Sequence, residues 1–136
     1  MLMNHKVVIV IPAGRRRMLK NTLRALHNCD WDVIDEIRIC ENTMLPKDVK
    51  YIKKLEAFVE KVSVLRVNSR IGFHKHESRT YNLNMRRFKY FYKSCNEDQA
   101  VYIRLDDDMV WMERGLISSL VQFALNNQHY IAVFPN

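Results

Sequence analysis

Apolar positions along the chain alternate between two periods. Residues 6–11 (KVVIVI) form an unbroken β-branched run, the pattern of a strand buried on both faces of a parallel sheet. Pro12-Ala13-Gly14 is expected to end it, because proline cannot donate to a ladder and glycine permits a sharp turn. Leu19, Leu23 and Leu26 then recur at helical spacing and predict a helix over 16–27. Residues 37–40 (IRIC) read as a second strand ending at Glu41-Asn42. Pro46 opens a helix in which Val49, Ile52, Leu55 and Phe58/Val59 share one apolar face. Residues 62–67 (VSVLRV) alternate as a third strand, and 68–72 is turn-rich. A basic, aromatic helix is expected from Tyr81 to about Lys93, then a fourth strand at 100–105 (AVYIRL). A helix over 113–126 with Leu116, Leu120, Phe123 and Ala124 inward precedes a last strand at 130–134 (YIAVF).

Strands alternating with helices predict an α/β fold: a mostly parallel, Rossmann-like sheet of about five strands with helices on both faces. The 136 residues form one domain, 1–136, without repeat, linker or low-complexity segment. If strand one pairs with two, two with three, and the chain then crosses back, strand order reverses between strands one and four. Open α/β sheets bind ligands at that point, beyond the carboxyl ends of the strands. The loops there are 12–17 and 106–110.

Composition changes this picture little. No apolar stretch reaches the roughly 20 residues of a membrane helix, and the N-terminal run precedes its basic cluster, opposite to a secretory signal. Cys29, Cys40 and Cys95 are scattered and odd in number, which predicts ordinary thiols in a reducing, cytoplasmic setting or on the cytosolic side of a membrane. The net charge of +7 equals the excess within residues 66–93, where eight Lys and Arg face one acid, Glu77. Such a field attracts phosphates, nucleic acid or an acidic membrane surface.

The chemistry centres on Asp106, Asp107 and Asp108. Two carboxylates about 4 Å apart repel by roughly 4 kcal/mol at an effective dielectric near 20. A divalent cation reverses that sign, and hard oxygen ligands suit Mg2+ or Mn2+. In extended chain i and i+2 point the same way, so Asp106 and Asp108 are expected to share one ligand while Asp107 points elsewhere. Arg15-Arg16-Arg17 lies near a helix N-terminus, a favourable anion site, although a solvated basic face explains it as well. His74-Lys75-His76 lacks the partners of a metal site. Tyr81, Phe88, Phe91 and Tyr92 read as a core-facing side rather than a stacking platform for single strands. Arg79 and Asn82 could reach phosphates from the first turn of that helix. Trp111 either stacks on a sugar or anchors its loop in the core.

Val8-Ile9-Val10-Ile11-Pro12, Glu41, Arg70-Ile71-Gly72 and Tyr102-Ile103-Arg104-Leu105-Asp106-Asp107-Asp108 together resemble the nucleotide-binding half of GT-A-fold glycosyltransferases, the family-2-like inverting enzymes in particular, with their D-x-D motif. The resemblance implies a nucleotide-sugar-binding domain. The backbone of 11–13, with Pro12 and Ala13, would lie against the base, and Glu41 would accept from base or ribose. Arg70 would approach base or phosphates. Asp106 would hold ribose or metal, Asp107 would belong to the nucleotide site, and Asp108 would be the main ligand of Mn2+ or Mg2+. The donor would be a nucleotide-diphosphate sugar of UDP type, with acceptor and catalytic residues unassigned. The family's catalytic carboxylate falls beyond the strand that here reaches Asn136. The chain therefore reads as a fragment, a subunit in a homo-oligomer or with a partner, or an unusually short member. Two rivals remain: a basic nucleic-acid-binding domain using 66–93, and a sugar nucleotidyltransferase, of whose phosphate loop Gly14-Arg15-Arg16-Arg17 is a faint version. No stable nucleic-acid partner is expected.

Overall fold

In a computed structural model, the backbone is described for residues 5–67 and 80–128, and the side chains for all of these except 80–86. The expected strand at 130–134, the loop at 68–72 with Arg70, His74-Lys75-His76, Arg79 and the side chains of Tyr81 and Asn82 lie outside the described residues.

The β-branched run forms β1 (Lys6–Ala13), the most buried strand, with Val8, Ile9, Val10 and Ile11 at 1% exposure or less. It is followed by α1 (Arg16–Asp30), β2 (Glu36–Glu41), α2 (Pro46–Phe58), β3 (Val62–Leu65), α3 (Thr80–Lys93), β4 (Ala100–Arg104) and α4 (Leu116–Asn126). Four described strands form one parallel sheet in the order β3-β2-β1-β4. The fold is thus α/β with the expected reversal between β1 and β4, and with four strands where about five are expected.

Alternation along β1 divides the core. Val7, Ile9, Ile11 and Ala13 face α1, α2 and α4 through Leu19, Leu26, Ile52, Ile117 and Val121. Val8 and Val10 face α3 through Phe91, with Cys40 and Tyr102 alongside. Helices therefore cover both faces, as a parallel sheet requires.

β1 is two residues longer than the sequence suggests. Val10 O accepts from Leu105 N at 3.0 Å, and Ala13 O accepts from Asn42 N at 2.8 Å. Pro12 therefore points toward β4, whose pairing with β1 ends at Val10–Arg104. The missing proline N–H faces the gap where β4 has left the sheet and costs no ladder bond. Gly14 is required by a close approach, since a Cβ there would lie 2.8 Å from the backbone oxygen of Asn42.

Two helical faces differ from expectation. In α4 the core positions are Ile117 and Val121, whereas Phe123 is 48% exposed. Apolar residues occupy most of α4, so periodicity alone does not choose a face. The phase is set from outside: Asp30, ending α1, accepts from Ile117 N at 2.9 Å and Ser118 N at 3.3 Å. α4 starts three residues later than expected, after Gly115 in the left-handed region (φ 87°). In α2 only Ile52 of the apolar face is fully buried, and Phe58, its last residue, is 84% exposed. Tyr92 of α3 is also exposed, stacked on Phe88.

The three cysteines are free, and burial pushes the Cys40 thiol up to about 12, so it is an inert core group. No helix among the described residues is long and apolar enough to cross a membrane.

Candidate nucleotide and metal site

Arg15 occupies the N-cap of α1 in extended backbone, but an arginine side chain cannot accept a bond from the first free amides. Those amides are met by carboxylates from distant parts of the chain. Asp107 Oδ2 accepts from Gly14 N at 3.2 Å and Arg15 N at 3.1 Å. Asp48, buried in the first turn of α2, accepts from Arg16 N at 3.3 Å. Both carboxylates also favour the positive end of the helix dipole.

Asp107 is fully committed. It is buried, and besides the two amides it receives the Arg15 guanidinium, from Nε at 3.1 Å and from a shorter contact through Nη2. This pairing pushes Arg15 still higher than its ordinary value. Asp107 is thus the brace that fixes the β4–α4 loop to the β1–α1 loop. The other two carboxylates are open. The Asp106 side chain is 64% exposed and accepts from Arg104 at 3.1 Å. The Asp108 side chain is 51% exposed, with Arg15 Nη2 at 3.3 Å.

These groups border a pocket of about 360 Å³ at the carboxyl ends of β1 and β4, lined by Pro12, Gly14, Arg15, Asn42, Phe88 and the three aspartates. Of the residues singled out in the sequence, Pro12, Asp106, Asp107 and Asp108 come together here. Ala13 does not line the pocket, because its side chain faces the α1 side of the core. Glu41 stands next to it, at the end of β2. Its Oε2 is buried without a hydrogen bond, although Arg66 Nε lies 3.5 Å away in an ion pair. Arg70 is outside the described residues.

Asn42 and the structural part of Arg15 carry no sequence expectation, and Phe88, expected on the core-facing side of its helix, packs against the core and also borders the pocket. Asn42 Oδ1 is buried and has no hydrogen-bond partner among the described residues. Its only sequence signal is its place directly after Glu41 at a strand end. Phe88 sits on the pocket side of α3, with the Arg104 guanidinium 5.8 Å from its ring centroid.

Other sequence expectations change. The amides at 14–16 already hold Asp107 and Asp48, so these three are not offered to a phosphate. In the basic stretch, Arg66 is held by Glu56 at 2.7 Å and by Glu41, while Arg87 is buried. Lys89 and Lys93 are exposed, and the other basic side chains of the stretch lie outside the described residues. Trp111 is 74% exposed, which overturns its role as a core anchor; Met112 fills that place.

Among the described residues, no group of three or more His, Cys, Asp or Glu could hold a metal. Asp106 and Asp108, each beside an arginine, are the exposed carboxylates of the pocket, and Mg2+ is typically bound by only one or two carboxylates plus phosphates and water. No protein-family model matches the chain, and no curated protein matches it in sequence.

Proposed function

We propose that the chain binds a nucleotide-diphosphate sugar together with Mn2+ or Mg2+ at the carboxyl ends of β1 and β4, as the donor-binding domain of a glycosyltransferase. The observation that supports this is the division of labour in the Asp triplet. Asp107 builds the loop, and Asp106 and Asp108 stand open on a polar pocket at the point where strand order reverses.

Asp106 and Asp108 would hold the cation, with the donor phosphates completing its shell. When bound, that cation supplies positive charge against a departing nucleoside diphosphate. Pro12 would offer the base an apolar ring and no competing N–H donor. Asn42, which lines the pocket, would supply an acceptor for a ribose hydroxyl or base N–H group, with Glu41 beside it at the end of β2. Arg15, held by Asp107, places a cation at the pocket wall for phosphate oxygens. Arg104, paired with Asp106, adds a second positive group nearby.

Isothermal titration of UDP and GDP, with and without Mn2+, tests the proposal. Binding that requires both nucleotide and cation is expected, with a UDP preference. A folded protein that binds neither nucleotide in the presence of Mn2+ refutes it.

A further inference from the structure

The loop after the Asp triplet carries a second feature, independent of nucleotide binding. Val110 and Trp111 are 73% and 74% exposed, yet their neighbours are fixed. Met109 and Met112 pack into the core, Thr22 Oγ1 donates to Met109 O at 3.1 Å, and Cys29 Sγ donates to Glu113 O at 2.9 Å. The loop is pinned along α1 at both ends, so the two apolar side chains are presented by a held backbone.

Two arginines, Arg24 and Arg114, share a shallow groove with Val110 and Trp111 at this tip. Arg17 and Lys20 lie on the exposed outer face of α1, and none of the four is ion-paired among the described residues. Glu113 is the one acid within the tip. Tryptophan favours the membrane–water interface, an exposed aliphatic neighbour gains from acyl chains, and Arg and Lys nearby are attracted to anionic headgroups. An acidic sugar would use Trp111 and the arginines but gains nothing from Val110.

We infer that Val110 and Trp111, with Arg24 and Arg114 in the same groove and Arg17 and Lys20 exposed on the same helix as Arg24, dock the protein on an anionic lipid surface. The docked tip begins two residues after Asp108, so the pocket would lie close to the bilayer. Because each basic group near such a surface is worth about five-fold in binding, the four cations and the apolar pair together give reversible peripheral attachment.

Co-sedimentation with vesicles of pure phosphatidylcholine and of phosphatidylcholine mixed with phosphatidylglycerol tests this. Wild-type protein is expected to pellet with the mixed vesicles only, less so as salt rises, with tryptophan emission shifted to the blue. Trp111→Ala should lose that shift, and both Trp111→Ala and Arg24→Glu/Arg114→Glu should lower binding by about ten-fold or more. All three positions are exposed, so thermal melts should stay close to wild type. Asp108→Ala should bind vesicles normally, which separates failure of the nucleotide site from failure of the lipid surface. Wild-type protein that stays in solution, that binds neutral vesicles equally, or whose variants bind as well overturns the inference. So does a solution dimer dispersed by Trp111→Ala, or retention on an acidic oligosaccharide, without vesicle binding.

Discussion

The two ends of the sheet are built from similar residues and treat them in opposite ways. At the amino end, charges are matched. Glu36 receives Arg38, Lys6 and Ser63; Arg38 also reaches Glu97 and Ser94 O; and Asp35 accepts from Val7 N at 2.8 Å. Lys61 donates to two backbone carbonyls, Trp31 O and Ile34 O. Burial alone would raise the Glu36 pKa, but the hydrogen bonds from Arg38, Lys6 and Ser63 outweigh it and hold the carboxyl at about 2. At the carboxyl end, Asp107 and Asp48 are matched, whereas Asn42 Oδ1 is buried without a hydrogen-bond partner among the described residues, Glu41 Oε2 has only the Arg66 ion pair at 3.5 Å, and Asp106 and Asp108 line the pocket. Buried polar groups are nearly always satisfied. The two ends thus differ in how far their polar groups are satisfied, and that difference supports the proposed ligand site at the carboxyl end.

Breaking the satisfied end should produce the largest effects. Glu36→Ala leaves Arg38 half-buried with its main partner gone, and should cost about 3 kcal/mol in urea denaturation. Asp107→Ala strips the cap of α1 and should cost about 2 kcal/mol. The Glu36 contribution should also depend on pH. Its folded pKa lies below the ordinary value near 4.5, so its stabilisation is complete above that value and is lost as pH falls toward about 2. Glu36→Gln should flatten that acid limb in denaturation curves recorded between neutral and acidic pH.

Substitutions at the open end should invert the pattern. Asp108→Ala should leave the melting temperature within about 2 °C of wild type, because an exposed pair contributes little. It should nonetheless weaken nucleotide binding in Mn2+ by about 100-fold, judged from the 10–100-fold cost of merely losing an outer partner of a metal ligand. Asn42→Ala should change stability least, by under about 0.5 kcal/mol in either direction, since it removes an acceptor without a partner. It should weaken nucleotide binding by roughly ten-fold, the value of one lost hydrogen bond in a closed site. A large loss of stability from Asn42→Ala would show that this end is structural too.

Most of the fold was legible in the sequence. The β-branched run of β1 and the alternation of strand and helix led to the parallel sheet and its reversal point. What failed was decided by single long-range contacts. Pro12 stays in β1 because its ring side faces the space vacated by β4. α4 takes its phase from Asp30, because its own apolar residues fit several faces. The site was half legible. The i, i+2 rule separates Asp106 and Asp108 from Asp107, but Asp107 and Asp108 lie in a turn and not in extended chain, and Asp107 points inward because it caps amides 92 residues away in sequence. Asn42 and Phe88 carry no motif; only the packing of β2 and α3 around the pocket brings them to it.

The central claim is that the open carboxyl end receives a cation together with a nucleotide diphosphate. Titrating UDP into the protein with Mn2+, without Mn2+, and into Asp108→Ala with Mn2+ addresses it directly. Binding in the first case alone, with all three samples equally folded, is the result expected here. Equal heats in the first and third cases, or binding indifferent to Mn2+, would contradict it.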